Sequence, residues 1–239
     1  MSKRIAWFMV MLLPCAGQQS PQAAGKITGI VKGDDGSAIP GTSVALNLVQ
    51  TMRNAKPKRP LPERDRQMKI SGSGGLFSFD GLRQGQYQLC AQLAKSPWLN
   101  TCDWGSIPLT VTVSAGQTEA ATIILRKGAL VQIRVEDPAR VLSQNQGTTP
   151  GAHLLLGVGG SDGLFRTAVL VSDDAGVRHY QSLVPFGLPI KLVMSSSFFQ
   201  LADALGTPLQ ARTTSMTLTA QAGAAPPLVR VIVTGKRSQ

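Results

Sequence analysis

The chain is poor in the residues on which most catalysis and metal binding depend. Its 239 residues include two histidines, two tyrosines and three cysteines. His153 and His179 belong to no short His/Glu cluster, which excludes the usual zinc-ligand spacing. There is no nucleophile elbow and no glycine-rich phosphate loop. Charged residues make up only 15% of the chain, low for a cytosolic enzyme, and acidic ones are outnumbered 13 to 24. That imbalance directs attention to anionic partners and away from cationic ones. The longest apolar run, Ile5 to Leu13, is too short to cross a bilayer.

Helical periodicity is also scarce. What the chain has instead is 25 glycines and 15 prolines, punctuating short runs rich in Val, Ile, Thr and Leu, the pattern of an all-β protein. The clearest stretch is Gly74 to Leu89. Phe77 and Phe79 share one side of an extended segment, and Tyr87 and Leu89 share one side of the next. Gly81 and Gly85 fall at the turn between them, beside Leu82. Further strands are predicted at Ile27–Val31, Val44–Val49, Leu109–Val113 and Thr122–Leu125, with a hairpin turn at Gly33-Asp34-Asp35-Gly36. Asp173-Asp174 is read in the same way, as turn chemistry and not as a calcium loop.

The amino terminus reads as a targeting segment: Lys3 and Arg4, the apolar run, then small residues at Cys15-Ala16-Gly17. Cleavage after Gly17 is expected, leaving residues 18–24 as a linker. The alternative is lipidation at Cys15, against which Pro14 stands where a small residue is usual. Without the leader the formal charge falls from +11 to +9, because Lys3 and Arg4 leave. Cys90 and Cys102 remain, an even number in an exported chain, and are expected to form a disulfide worth roughly 2–3 kcal/mol. The competing reading is two unrelated thiols. Gln86, Gln88 and Gln92 alternate with Tyr87, Leu89 and Ala91, so Cys90 is expected on the polar side of its strand.

Two stretches stand out as candidate binding sites. Trp98 and Trp104 flank Cys102 and offer flat rings on which sugars stack; the alternative is that both indoles merely cover a sheet edge. Arg53, Lys56, Lys58, Arg59, Arg64, Arg66 and Lys69 oppose only Glu63 and Asp65, giving +5 of the charge. With Pro57, Pro60 and Pro62 the stretch is expected to be an extended, solvated loop. An anionic glycan, lipid headgroup or acidic protein fits it; nucleic acid does not fit an exported chain. Charge that serves only solubility is the alternative.

The second half echoes the first. Thr149 to Leu156 mirrors Ile39 to Leu46, and Gly176 to Leu183 mirrors Gly75 to Leu82. Met216 to Gly235 mirrors Leu109 to Gly128, with the same offset at both ends. Three echoes in one order imply a tandem duplication, with units at 25–128 and 129–236. The second lacks the basic insertion and both cysteines.

Ile27 to Val31, Ile39 to Val44, Gly75 to Phe79 and Leu82 to Tyr87 together resemble the carboxypeptidase regulatory-like domain. The resemblance covers residues 25–128 well, and 129–236 only through the repeat. It implies two tandem transthyretin-like (prealbumin-like) Greek-key β-sandwiches, a fold grouped with carbohydrate-binding-like folds. In metallocarboxypeptidases this module accompanies a zinc domain; none is found here. An intradiol dioxygenase would need two Tyr and two His on iron. Tyr87, Tyr180, His153 and His179 match that count, but His179 and Tyr180 point to opposite faces of one strand. The carboxy-terminal signature of hydroxyisourate hydrolase is also missing. A non-enzymatic module with no cofactor is therefore expected, binding a polysaccharide or an envelope protein in the periplasm, outer envelope or exterior. A spacer, or an adhesion module using an open sheet edge, is the alternative. Contact with a membrane is expected only through Cys15.

Overall fold

The computed structural model describes residues 23–49, 66–142, 154–174, 176–209 and 212–237. Cys15, Arg53, Lys56, Lys58, Arg59, Arg64 and His153 lie outside them. The chain is an all-β sandwich protein, with four sheets and no α-helix among the described residues.

Seven strands build the first half: β1 (Gly25–Gly33), β2 (Ser43–Leu48), β3 (Arg66–Ile70), β4 (Leu76–Leu82), β5 (Gly85–Gln92), β6 (Leu109–Val113) and β7 (Thr118–Leu125). They form two sheets, ordered β4-β1-β7 and β3-β2-β5-β6. The Gly74–Leu89 stretch joins them: β4 pairs antiparallel with β1, whereas β5 pairs with β2 in the opposite sheet. The corner between them is held by Tyr87, whose hydroxyl donates to the Arg83 carbonyl at 3.0 Å. Phe77, Phe79 and Leu82 from one sheet meet Val44, Leu46, Tyr87 and Leu89 from the other, all buried. Each such side chain contributes about 1.5–3 kcal/mol on leaving water. Gly29 lets the Phe77 ring lie on β1, since a Cβ there would stand 2.3 Å from it.

The second half holds β8 (Gly128–Glu136), β9 (Leu155–Gly159), β10 (Phe165–Thr167), β11 (Val169–Asp174), β12 (Val177–Pro185), β13 (Pro189–Ser195), β14 (Phe199–Ala202), β15 (Pro208–Leu209), β16 (Thr213–Thr219) and β17 (Leu228–Lys236). Its sheets run β10-β9-β13-β16 and β11-β12-β8-β17-β14-β15. The strand orders correspond: β8 pairs antiparallel with β12 and parallel with β17, as β1 does with β4 and β7. The sequence echoes fall on these equivalent strands, β4 with β12 and β6–β7 with β16–β17.

Two expectations are corrected. Arg66 and Lys69 lie in β3, not in a loop, because beyond Pro62 the proline block ends and Arg66–Ile70 can pair with β2 along its full length. Asp173 and Asp174 are likewise strand residues. The turn follows them, at Gly176 with its φ of 97°, and Asp173 accepts from Arg178 at 2.8 Å across the hairpin.

Candidate functional site

The two hydrophobic cores are separate, one gathering buried residues from Ile27 to Leu125 and the other from Ala129 to Val233. Only Arg126 and Lys127 stand between β7 and β8. The loop from Lys95 to Gly105 lies against this connection and contacts both halves.

Its anchor is the Cys90–Cys102 disulfide, with Cα atoms 5.4 Å apart. Thr101 adds two bonds along the side of β5 away from β2: its N–H reaches the Ala91 carbonyl at 3.1 Å, and its hydroxyl accepts from the Ala91 N–H at 2.8 Å. Loop and strand are thereby tied at both backbone and side chain.

At one end of the loop, residues 97–99 bond to the connection as a short antiparallel bridge between Trp98 and Lys127. Leu99 donates to Arg126 at 2.9 Å, and Gly128 donates to Pro97 at 2.8 Å. The Trp98 indole is half-buried against the first core, over Gly33, where a Cβ would meet the ring at 2.6 Å. Lys127 stands 5.0 Å from the ring centroid and bonds Asp35 at 3.2 Å. Asp35 is held down to about 2 by the Ser37 hydroxyl and backbone N–H and then by Lys127. Gly128 is a point of close approach: a Cβ there would lie 2.6 Å from the Val184 carbonyl and 2.9 Å from Leu99.

At the other end, Trp104 is half-buried against the second core, not the first. Gly160 gives its ring room, since a Cβ there would come within 3.0 Å. Arg166 of β10 lays its guanidinium 4.2 Å from the ring centroid. The same side chain bonds Asp162 at 2.6 Å and stands 3.6 Å from Asp103. Asp162 is 12% exposed. It is held down to about 2, chiefly by the Arg166 hydrogen bond, then by the backbone N–H of Leu164, the Arg166 charge and the Gly105 N–H. Burial opposes the charge on Arg166, but Asp162 and Asp103 outweigh it and its pKa stays above the ordinary value. Its Nε is buried without a hydrogen-bond partner. Trp104 itself sits at φ 60°, a region unfavourable to an L side chain.

The structure therefore joins Cys90 to Cys102 and sets Trp98 and Trp104 on different cores at the two ends of one loop, each ring with a cation beside it. It adds Asp103, Gly105, Lys127, Gly160, Asp162 and Arg166, which sequence reading missed. No short-range signal marks them: Arg166 lies 62 positions from the indole it covers. Arg66 and Lys69 lie apart on β3. Tyr87 is in the first core, whereas His179 and Tyr180 are on β12 in the second half. Among the described residues no three His, Cys, Asp or Glu side chains gather as a metal site, and no helix is long and apolar enough to cross a membrane.

The chain matches no protein-family model and no curated protein. Among solved structures it is similar to a streptococcal ancillary pilin (TM-score 0.43, 14% identity, over 92% of this chain and 64% of that one). It is also similar to GBS52, the minor pilin of Streptococcus agalactiae (0.41, 10%, 90% and 98%). A third is the Bacillus anthracis TIE protein (0.34, 11%, 88% and 34%), so this chain spans about a third of that protein's length. Likenesses at this level leave function to be argued from the chain's own residues.

Proposed function

We propose that the chain is a non-catalytic, exported structural or adhesion module whose two sandwiches are held as one unit by the disulfide-anchored loop. One observation carries this reading: the loop spends its two tryptophans and Asp103 on the joint. A two-residue connection alone would leave the halves free to swivel. The disulfide supports an oxidising compartment. The likeness of Ile27 to Tyr87 to the carboxypeptidase regulatory-like domain supports an accessory role beside other proteins.

The test is ¹⁵N relaxation on the chain from Gln18 to Gln239. One rotational correlation time for both halves is expected, splitting into two in Arg166→Ala. Two independent times in the unaltered protein would overturn the reading. Glycan binding at Trp98 and Trp104 makes a different demand, that ring faces be open to a sugar. Retention on insoluble polysaccharide, lost in a folded Trp98→Ala or Trp104→Ala variant, would establish it instead.

A further inference from the structure

The two copies of the fold close their sheets differently. In the second half β12 and β17 flank β8, and each carries a further strand on its outer side, β11 beside β12 and β14 beside β17. In the first half β4 and β7 flank β1 in the same way, and among the described residues neither carries one. The cause at β7 lies between β5 and β6. In the second half the corresponding place, between β13 and β16, supplies β14 and β15. In the first half it holds the tryptophan loop, which the disulfide and Thr101 tie to β5. That loop pairs with Arg126 and Gly128, just beyond β7, and leaves β7 itself bare.

The two bare edges are not alike. β4 is blunted: its register with β1 shifts between Gly25 and Ile27, the Leu76 carbonyl accepts from Gly72, and Asp80 carries a charge outward. β7 pairs with β1 in unbroken register along all eight of its residues. Lys26 donates to the Gln117 carbonyl at 2.9 Å, so the bonds of this parallel ladder fall next on Glu119, Ala121 and Ile123. Thr118, Ala120, Thr122 and Ile124 turn their N–H and C=O groups away from β1, and their side chains are exposed. No proline, bulge or charge protects these four, so the edge is a template for strand addition. The other bare edges, β3 and β6 or their counterparts β10 and β16, end sheets that neither copy of the fold extends, and β11 and β15 are themselves the added strands.

An antiparallel strand is what β17 carries in this position, and the loop offers Arg126 and Gly128 the same arrangement. A second copy of β7 can supply it in register. Leu99 already bonds Arg126, so an incoming strand must end short of that residue. With Ala120 on a two-fold axis it does. Thr118 then lies beside Thr122 of the second copy, Ala120 beside Ala120, and Ile124 reaches only the turn at Gly116. Each residue so paired directs its backbone groups to the shared edge, none is charged, and threonine pairs are favourable across strands. Lys26, one strand back beside Thr118, falls in line with Ile30 of the second copy, so no like charges meet.

We propose that two copies pair through β7, forming a closed, isologous dimer with one continuous sheet. The contact requires only that the first sandwich fold, so its failure leaves the joint reading intact.

The test combines sedimentation velocity with amide exchange on the chain from Gln18 to Gln239, from about 1 to about 100 µM, the range in which a contact of modest affinity populates. A monomer–dimer equilibrium that goes no further is expected. It survives high salt, because no charge pair holds it. On association the N–H groups of Ala120 and Thr122 gain protection, whereas those of Ala121 and Ile123, already bonded to β1, change little. Ala120→Lys and Ala120→Glu each weaken dimerisation roughly tenfold by setting like charges on the axis. An equimolar mixture of the two dimerises at least as well as the parent, which also proves both variants folded. Met68→Lys on β3 and Val169→Lys on β11 leave the dimer intact. A monomer at every concentration, growth past the dimer, association indifferent to both Ala120 variants, or a mixture no better than either alone would each overturn the proposal.

Discussion

Arg166 is the residue on which the joint turns, because three separate groups depend on it. Removing it leaves Asp162 and Asp103 without their cation and Trp104 without its cover. Arg166→Ala is expected to cost about 2 kcal/mol, of which the ring contact supplies about 1. Arg166→Lys keeps the charge but not the flat fork, and recovers less than half of that. Chemical denaturation of both variants checks the ranking. The carboxylate gives the joint a pH limit. Asp162 is held at about 2, below its ordinary 3.8, so its contribution is present above that ordinary value and is lost as pH falls through the folded one. Asp162→Asn is expected to flatten part of the fall in melting temperature between those two values, leaving the part due to Asp35, Asp80 and Glu136, which are also held below their ordinary values. Trp104 supports a further expectation at this scale. Its backbone lies at φ 60°, where alanine keeps the steric penalty and glycine does not. Trp104→Gly should therefore remain about 1 kcal/mol more stable than Trp104→Ala, the reverse of the order in an ordinary strand.

At the scale of elements, legibility followed sequence distance. The β4–β5 corner could be read from the chain because Phe77, Phe79, Tyr87 and Leu89 declare their faces within thirteen residues. The same alternation put Cys90 on the polar side of β5, and its partner is indeed Cys102. β3 could not be read, because the proline block before it masks the five residues that can pair. The partners of the tryptophan loop were hidden for another reason. Nothing near Gly160 or Asp162 distinguishes a bed for an indole from an ordinary turn. Gly128 shows the same limit, since glycine at a strand start is unremarkable until Val184 and Leu99 are placed beside it. Gly128→Ala is expected to cost about 1–3 kcal/mol, as the new methyl meets the Val184 backbone carbonyl at 2.6 Å, which cannot swing aside as the Leu99 side chain can. Denaturant unfolding measures it, and a neutral result would mean the connection is looser than its hydrogen bonds imply.

For the whole molecule, the question is whether two separate cores unfold as one. Each sandwich has its own hydrophobic core, so cooperativity between them must come through the joint. Among the described residues, the covalent support for that joint, besides the chain, is the Cys90–Cys102 bridge. It closes a short loop, separation 12, and constrains the unfolded first half by roughly 2–3 kcal/mol. Reduction therefore acts twice. It lowers the stability of the first sandwich directly, and it frees residues 97–105 to leave the connection and the second core. In calorimetry the oxidised protein is expected to melt in a single transition. Under reductant, or in the Cys90→Ser/Cys102→Ser variant, that transition should divide. The first half would melt roughly 10 °C or more lower, on the scaling for a domain of about 100 residues. The second half, whose core holds no cysteine, would move only by its share of the lost joint. If reduction shifted one undivided transition, the sandwiches would be coupled by contacts other than this loop. If two transitions were present before reduction, the loop would not couple them at all.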